Sequence, residues 1–414
     1  MTARHVTVIG AGFSGLTAAH QLVRAGYDVE IVERAATPGG LIATLRTEWG
    51  TVETAANGAL NTHRLEALAE ELGVRLLCPA PAAKKRYLYR DGPSRFPLRA
   101  GDLPAFIGFV ARFIMNRRSV APRPQESVRA WATRVMGPAA ARYLVEGALQ
   151  GIYSGNPERL SASVILGRFF DRRPREPRPR HRGIVAPEGG MGELVNALHA
   201  RLRDDGVAFR TQQVEPLRAL PDHPHVIATG ARAARDLLDG AAPELARALR
   251  AFDLSTLITI TAFFPDHCVR GFGCLFPPQE RRRALGVLVN TDIFPNRSRN
   301  YVSETWILGG ADGASALRAA ELLQMTDAQL IDIVLDERAA AFGATSKPAG
   351  YRVTRWPETI PHYSVDLEAV LPVLERGADN IFLHGNYLGQ IGLAKILDRT
   401  AALPALIAAR GRWA

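Results

Sequence analysis

Residues 5–33 open the chain with apolar positions that repeat first as in a strand, then as in a helix, then as in a strand. The run Val6–Ile9 predicts a strand, the segment from about Ser14 to Ala25 predicts an amphipathic helix, and Val29–Val32 predicts a second strand that ends on an acid. Two strands joined by a helix of this length predict a parallel βαβ unit.

Beyond this unit, the pattern alternates between strand-rich stretches and a helical middle. A hairpin is expected where Lys84–Arg90 turns back at Asp91-Gly92-Pro93. Helices are predicted at Arg64–Leu72, Leu103–Met115, Glu126–Met136 and Ala139–Gln150, and Pro187–Asp205 predicts a glycine turn followed by a long amphipathic helix. Strands are predicted at Val207–Thr211, Val226–Gly230, Thr256–Phe264, Ala284–Asn290, Tyr301–Leu308 and Asn380–Leu383. The last strand, followed by a helix to about Ala409, is expected to rejoin the first sheet.

Three glycines follow the first strand with the spacing G-x-G-x-x-G and open the first helix. Gly10 suits the tight turn, Gly12 allows the backbone to approach a pyrophosphate, and Gly15 allows the helix to lie close to the sheet. The helix N-terminus offers N–H groups and a positive dipole end to the phosphates. Glu33 ends the second strand, where its carboxylate can bind a ribose hydroxyl. The segment therefore predicts a dinucleotide site.

The residues after Glu33 favour FAD over a nicotinamide cofactor. The sequence continues from Arg34 to the pair Gly39-Gly40, which permits close approach of the backbone to a long ligand. A plain surface turn would also use Pro-Gly-Gly. Gly39-Gly40 followed by Glu53 and Asn57 resembles the FAD-dependent amine oxidase and protoporphyrinogen oxidase superfamily. Leu41 stands where that superfamily usually has an arginine that helps hold the cofactor, a contact that Arg46 could supply.

Composition limits the class of protein. At 414 residues the chain is too long for one simple core, so two or three domains are expected. Its three cysteines have no paired spacing, which indicates a reducing compartment. The first strand begins at about residue 5, leaving no room for a signal peptide, and no apolar run reaches the length of a membrane span. We therefore expect a cytoplasmic protein.

The net charge of +10 is carried almost wholly by arginine, concentrated at Arg168–Arg182. Such a charge suits nucleic acid, anionic lipid or an acidic substrate. The stretch lacks a nucleic-acid module and interleaved stacking aromatics, so no nucleic-acid partner is expected. Taken alone, Arg172–Arg182 is interpreted as a solvated, proline-rich loop.

Several segments resemble the protoporphyrinogen oxidase family, in the family's order across nearly the whole chain. They are Lys85-Arg86-Tyr87-Leu88 with Asp91-Gly92, Gly151–Ser161 (GIYSGNPERLS), Pro187–Met191, Gly271–Pro277 (GFGCLFP), and Gly385-Asn386-Tyr387 with Gly389. The resemblance implies an α/β fold with a Rossmann-type FAD-binding domain, a mixed-sheet substrate domain and a helical insertion. The implied FAD-binding domain consists of residues 1–83, 184–251 and 378–414, the substrate domain of 84–98 and 252–377, and the helical domain of 99–183.

The resemblance also implies the residues of the site. FAD would be bound by Gly10, Gly12, Phe13, Ser14, Gly15, Glu33, Arg34, Gly39, Gly40, Leu41, Asn57, Gly58, Val214, Gly385, Asn386, Gln390 and Ile391. Arg86 corresponds to the family arginine that meets a propionate of the tetrapyrrole. A surface arginine in the basic run KKRYLYR is the alternative, and Lys84 or Lys85 could take its role. No metal ligands and no catalytic base are predicted.

Three functions are compatible with these residues. The first is oxidation of a reduced tetrapyrrole, with hydride passing to flavin N5, protons leaving through pyrrole N–H tautomerism, and O2 as the electron acceptor. The second is a related FAD oxidoreductase that desaturates a smaller pyrrolic or heterocyclic secondary metabolite. The third is a flavin-free binding protein on the same scaffold, against which the intact glycine motif argues.

The strongly apolar segment Leu103–Met115 is too short to span a membrane. It could lie in the lipid interface, with Arg112 and Arg117-Arg118 at the head groups, and so attach the protein peripherally to the inner face of a membrane. The alternative is an ordinary buried helix of the helical domain.

Overall fold

The computed structural model describes residues 4–95, 98–170, 177–311, 314–389 and 391–410. Within these ranges the strands are β1 (Arg4–Ile9), β2 (Tyr27–Glu33), β3 (Thr44–Arg46), β4 (Thr51–Glu53), β5 (Ala59–Leu60), β6 (Leu76–Leu77), β7 (Arg86–Tyr89), β8 (Pro93–Ser94), β9 (Ile184–Pro187), β10 (Ala208–Thr211), β11 (His225–Ile227), β12 (Leu254–Phe264), β13 (Gly273–Leu275), β14 (Ala284–Val289), β15 (Val302–Gly310), β16 (Gly350–Pro361) and β17 (Ile381–Leu383).

Helices connect these strands and form the middle of the chain. Over the same described residues they are α1 (Phe13–Arg24), α2 (His63–Glu71), α3 (Leu103–Asn116), α4 (Val128–Met136), α5 (Pro138–Ala140), α6 (Gly147–Tyr153), α7 (Ala162–Leu166), α8 (Met191–Asp204), α9 (Ala231–Leu238), α10 (Pro243–Arg250), α11 (Asn290–Ile293), α12 (Ala319–Gln324), α13 (Asp327–Phe342), α14 (Val365–Arg376) and α15 (Leu393–Arg410). A π-helical segment, Ala141–Glu146, joins α5 to α6, where the sequence predicts one uninterrupted helix.

The first sheet has the strand order β10-β2-β1-β11-β17, and each neighbouring pair is parallel. This confirms both the βαβ unit and the return of the terminal strand to the first sheet. Parallel strands are buried on both faces, and Val6, Val8 and Ile31 are accordingly inaccessible to solvent. Helices α1 and α15 pack against each other on one face, so the two ends of the chain share one core.

The second sheet is mixed, with the order β16-β12-β15-β14-β13-β7-β8. Strands β7 and β13 pair in parallel and the other neighbours are antiparallel. The predicted hairpin is confirmed, since Leu88 pairs with Ser94 across the turn. Its first strand is shorter than expected, because Pro81–Lys84 form a 3₁₀ turn and the strand begins at Arg86. The α/β fold with a parallel and a mixed sheet is therefore as predicted.

The helical middle of the chain packs around aromatic side chains. Trp131 of α4 meets the rings of Phe109 and Phe170 edge-on, with centroids 6.4 and 6.1 Å apart. Glu146 is fully buried and accepts two hydrogen bonds of 2.7 Å from Arg129. Residues 171–176 of the predicted arginine-rich loop lie outside the described residues, whereas 177–182 that follow them are mostly exposed.

Helix α3 is more exposed than a core helix. It has no buried residue, and Ile107, Ile114 and Met115 are 61%, 77% and 85% exposed. The interpretation as an ordinary buried helix is therefore wrong, because only one side of α3 packs on α4. Arg112 is exposed as well, but its guanidinium is engaged within the protein, since it donates to the carbonyl of Val135 at the end of α4. Among the helices that the structure describes, none is long and apolar enough to cross a bilayer.

Candidate functional site

Two of the three glycines in the first turn are required by the protein itself. Gly10 has φ +106°, and its N–H donates to Val32 at 2.8 Å, which turns the chain at the end of β1. A Cβ added at Gly15 would lie 1.8 Å from the carbonyl oxygen of Gly10. Any side chain there would push α1 away from the turn. The roles predicted for Gly10 and Gly15 thus have a direct structural basis.

Gly12 differs from them because the protein does not require a glycine there. It precedes α1 with an ordinary extended backbone, and a Cβ added to it would meet no atom closer than the Cα of Gly40, at 3.8 Å. No side chain caps the helix, so the N–H groups at Phe13 and Ser14 have no side-chain acceptor. A free cradle in front of an uncapped helix N-terminus fits the pyrophosphate of a dinucleotide.

Glu33 is tied to the same turn. Its Oε2 accepts the N–H of Ala11 at 2.7 Å, and its Oε1 accepts the N–H of Ala35 at 2.9 Å. Each carboxylate oxygen keeps a further lone pair that can accept a ribose hydroxyl. Arg34, beside it, is exposed. The half-buried carboxylate thus fixes the glycine turn and lies where the sugar of a bound dinucleotide is expected.

The second glycine pair lies directly beside the first motif. The N–H of Gly39 donates to Ala11 at 2.8 Å, and a Cβ added at Gly40 would lie 3.1 Å from the Cα of Gly12. Gly40 also has φ +61°, which favours glycine. The next residue, Leu41, accepts a 2.7 Å hydrogen bond at its carbonyl from Thr54. The two motifs, Gly10–Gly15 and Gly39-Gly40, therefore border one open space, which we call the glycine cradle.

Arg46, which could replace the missing arginine at position 41, has other partners in this structure. Its guanidinium donates to Thr51 at 3.0 Å and to the carbonyl of Gly189 at 2.7 Å. These bonds connect the β3–β4 hairpin to the turn before α8. Beyond the hairpin, Asn57 and Gly58 are half-buried, and a Cβ at Gly58 would lie 2.8 Å from the side chain of Ile184.

Sequence reasoning missed a buried ion pair behind this hairpin. Glu53 accepts hydrogen bonds from Thr44 at 2.7 Å and from the N–H of Met191 at 3.0 Å. The guanidinium of Arg297 lies 3.5 Å away, and both side chains are buried. Burial raises the pKa of Glu53 and lowers the pKa of Arg297, as expected when both charges leave water. The pair fastens the segment carrying Asn57 to the 3₁₀ turn Pro295–Arg297, which precedes β15.

The terminal motif meets the first one at the carboxyl edge of the parallel sheet. Strands β1, β11 and β17 are neighbours, so Gly10 and Gly385 follow strand ends on the same edge, where α/β sheets bind ligands. Tyr387 is fully buried and donates to Ile227 at 3.2 Å. Ile391 and Val214 are half-buried, and Gln390 lies outside the described residues.

Tyr363, another residue that sequence reasoning missed, supports this motif. Its buried hydroxyl donates to the carbonyl of Asn386 at 2.5 Å, and its ring meets that of Tyr153 edge-on, with centroids 5.3 Å apart. Asn386 is therefore held through its backbone by a residue 23 positions earlier. Tyr153 belongs to the GIYSGNPERLS segment, so two of the segments that carry the family resemblance are in contact through Tyr363.

The buried histidines near the site are structural. His384 shares a 2.9 Å hydrogen bond with Thr400, and burial lowers its pKa to about 3. His362 accepts the N–H of Asn156 at 3.1 Å, and burial, with nearby Arg159, lowers its pKa to about 4. Across the described part of the chain, no group of three or more His, Cys, Asp or Glu side chains is arranged to hold a metal ion.

These histidines predict loss of stability in acid. A histidine in the unfolded chain has a pKa of about 6.5. Below that pH, His384 and His362 bind protons in the unfolded state but stay neutral in the folded protein, which favours unfolding. The free energy of unfolding therefore has its full value above about pH 6.5, and it falls by about 1.4 kcal/mol per pH unit per histidine as the pH drops toward 4. Urea unfolding between pH 7.5 and 4.5 measures this slope. His384→Asn should flatten the slope and the exposed His181→Asn should not; equal slopes in both variants would contradict the assignment.

Arg86 stands apart from the glycine cradle, at the start of β7 in the mixed sheet. It is exposed, it is paired in register with Gly273 of β13, and its guanidinium carbon lies 4.4 Å from the ring centroid of Phe272. In the described part of the chain its guanidinium has no hydrogen bond or ion pair. An arginine held by a ring, with its donors unused, is suited to an anionic ligand.

Comparison with known proteins agrees with this arrangement. The family model for flavin-containing amine oxidoreductases matches residues 13–215. The chloroplastic protoporphyrinogen oxidase of Oryza sativa subsp. japonica is 24% identical over 467 residues, covering 94% of this chain and 85% of that protein. The Homo sapiens protoporphyrinogen oxidase is 28% identical over 430 residues, covering 87% of this chain and 88% of that protein.

Solved structures share the fold at lower identity. A candidate protoporphyrinogen oxidase from Exiguobacterium sp. 255-15 superposes with a TM-score of 0.75 at 17% identity, covering 99% of both chains. Cyclohexylamine oxidase from Brevibacterium oxydans IH-35A superposes with a TM-score of 0.70 at 16% identity, covering 98% of this chain and 99% of that one. The family model and the curated relatives confirm the predictions of FAD as cofactor and of an oxidoreductase.

Proposed function

We propose that this FAD-dependent oxidoreductase, which is similar to protoporphyrinogen oxidases over nearly its whole length, oxidises a reduced tetrapyrrole of the protoporphyrinogen type to a porphyrin. The observation that carries the proposal is Arg86, an exposed guanidinium with unused donors on the mixed sheet. A porphyrinogen is a broad apolar disc with carboxylates on one edge, and such a guanidinium matches a carboxylate with two parallel hydrogen bonds.

Different residues around the glycine cradle would bind different parts of FAD. Gly12 and the N-terminus of α1 would receive the pyrophosphate, Glu33 the ribose, and Gly385 and Asn386 the end of the cofactor near the reaction. Bound FAD supplies the two-electron acceptor. Tyr363 holds the backbone of Asn386, and Glu53 with Arg297 holds the segment leading to Asn57. These contacts hold the backbone around the proposed site in place.

The substrate itself supplies much of the reactivity. The bridging C–H bonds of a porphyrinogen are activated by the adjacent pyrroles, and pyrrole N–H groups can release protons. No strongly basic side chain is therefore obligatory, and we assign no catalytic base. The chain's task is to orient the disc through Arg86 and apolar walls. For each pair of hydrogens removed, we propose that dioxygen is the final two-electron acceptor and is reduced to hydrogen peroxide.

The division into three domains is part of the proposal. The parallel sheet takes β1 and β2 from residues 1–83, β10 and β11 from 184–251, and β17 from 378–414. The mixed sheet takes β7 and β8 from residues 84–98 and β12–β16 from 252–377. These origins support a discontinuous FAD-binding domain and a discontinuous substrate domain, with residues 99–183 as the helical insertion.

We also propose peripheral membrane contact through α3. Its outward side chains, Ile107, Ile114 and Met115, form an apolar surface that ends at the exposed, basic Arg118. An amphipathic helix of this kind lies at the boundary between head groups and acyl chains of anionic lipid.

Flotation with phosphatidylglycerol-containing liposomes at low salt tests this contact. The wild-type protein should float with the liposomes, and Ile114→Glu combined with Met115→Glu should stay behind. Burying two such side chains contributes about 3–6 kcal/mol, so the loss exceeds about a hundredfold in partitioning. Leu220→Glu, a similar change at an exposed leucine outside α3, serves as the control. Wild-type protein that stays with the soluble fraction would contradict the proposal.

The function is tested by incubating FAD-loaded protein with protoporphyrinogen or coproporphyrinogen in air. Porphyrin fluorescence should rise in proportion to enzyme concentration and well above the spontaneous rate, with matching oxygen consumption. A rate no higher than that of flavin-free protein would argue against a tetrapyrrole substrate and leave a smaller pyrrolic or heterocyclic metabolite as the alternative.

A further inference from the structure

We propose that Phe272 is a positioning residue for carboxylate recognition. Its ring holds the Arg86 guanidinium in the orientation in which it can donate hydrogen bonds to a substrate carboxylate. The inference rests on the proposed function for the identity of the ligand at Arg86. It goes beyond that function by assigning specificity to a side chain that need not touch the substrate.

The stack is the main constraint on Arg86. The guanidinium carbon lies 4.4 Å from the Phe272 ring centroid, within the range of a cation–π contact. The side chain is exposed, and nothing else among the described residues bonds to its guanidinium. Arg90, on the same hairpin, differs because it also pairs with Asp102 at 2.9 Å. Without the ring, Arg86 would sample many rotamers before meeting a carboxylate.

The ring is itself fixed to the strand that carries Arg86. The N–H of Phe272 donates to the carbonyl of Lys85 at 2.8 Å, and its own carbonyl accepts the N–H of Val289 at 3.0 Å. The preceding Gly271 has φ +141°, and a Cβ there would lie 2.4 Å from the Lys85 carbonyl oxygen. Only glycine allows this approach, which brings Phe272 next to the residue before Arg86.

A carboxylate behind the turn completes the support. Asp292 accepts the N–H of Gly271 at 2.7 Å on one oxygen and lies 2.9 Å from Nε2 of His267 on the other. Both partners belong to the segment that leads into β13. The turn is thus anchored on three sides, and Phe272 is presented to Arg86 as a fixed platform.

Stacking leaves the functional edge of the guanidinium open. Its N–H donors lie in the plane of the group, so a ring against one face obstructs none of them. An arginine ordered in this way can make two parallel bonds to one carboxylate, which a lysine cannot. The platform therefore favours substrates with a carboxylate at this point over those that lack one.

Steady-state kinetics of FAD-loaded variants test the platform. With protoporphyrinogen, Phe272→Leu should raise KM by about two- to fivefold at unchanged kcat, the range expected for an exposed cation–π contact. Phe272→Tyr, which keeps the ring, should restore the wild-type KM. Phe272→Leu should have no effect on the dimethyl ester, which lacks the carboxylates, and no further effect in protein that already carries Arg86→Ala. Phe169→Leu, at a second arginine–phenylalanine contact of 4.9 Å, is the matched control and should leave KM unchanged.

Other outcomes separate this inference from the proposed function. An equal rise in KM from Phe272→Leu with and without Arg86 would mean that the ring touches the substrate directly, and no rise would mean that it positions nothing. If protoporphyrinogen is not oxidised at all, the proposed function fails, and the stack is judged by NMR. The Arg86 side-chain resonances should be shifted by the ring current in wild type and Phe272→Tyr, and not in Phe272→Leu; no such difference would overturn the inference.

Discussion

Gly12→Val is expected to yield a folded, colourless protein. The new side chain has room in the protein, because the nearest atom to a Cβ at this position is 3.8 Å away. It would instead occupy the space in front of the α1 N-terminus that the pyrophosphate needs. Losing two charge-assisted hydrogen bonds of about 1.5–3 kcal/mol each weakens FAD binding by about 10²–10⁴-fold. Flavin absorbance per chain measures the loss, and circular dichroism reports the fold.

A matched substitution tests whether any glycine-to-valine change in this protein would lower its FAD content. Gly101, in the helical middle of the chain, also has open space around an added Cβ and an ordinary backbone conformation. Gly101→Val should retain FAD at the wild-type level. If Gly12→Val protein still bound FAD stoichiometrically, the pyrophosphate would have to lie elsewhere.

Arg86→Ala is expected to weaken a carboxylate-bearing substrate by about ten- to a hundredfold. Removing the charged partner of a carboxylate costs about 1.5–3 kcal/mol, which corresponds to that range. FAD content should be unchanged, because Arg86 lies on the mixed sheet, away from the glycine cradle. KM for protoporphyrinogen measures the effect, with flavin absorbance as the internal check.

Neighbouring cations provide the control for that variant. Lys84 and Lys85 are exposed beside Arg86 and carry the same charge without the stack on Phe272. Lys84→Ala and Lys85→Ala should change KM much less than Arg86→Ala. An unchanged KM in Arg86→Ala, with flavin bound, would mean that the substrate carboxylate binds elsewhere or is absent.

The parts that sequence predicted well are those determined by local physics. The strand–helix–strand unit follows from apolar periodicity over residues 5–33, and the turn follows from glycines whose φ angles or close contacts exclude side chains. The β7–β8 hairpin was likewise readable from the turn at Asp91-Gly92. These features need no information about the rest of the chain.

The parts that sequence did not reveal depend on contacts between distant segments. Nothing near Glu53 indicates that Arg297 will lie beside it, and nothing near Asn386 indicates a hydrogen bond from Tyr363. The Phe272 ring that stacks on Arg86 comes from a segment that follows the helical middle in the sequence. For α3, apolar composition alone could not distinguish a buried face from an exposed one, because that depends on where α4 packs.

Anaerobic mixing of the FAD-loaded protein with protoporphyrinogen tests the central claim most directly. The account predicts rapid bleaching of the flavin absorbance, the appearance of oxidised tetrapyrrole, and return of the flavin colour when oxygen is admitted. Bleaching should slow in Arg86→Ala at low substrate concentration and recover at high concentration. Flavin that stays fully coloured in the presence of excess porphyrinogen, while dithionite bleaches it, would contradict the assignment of a reduced tetrapyrrole as the substrate.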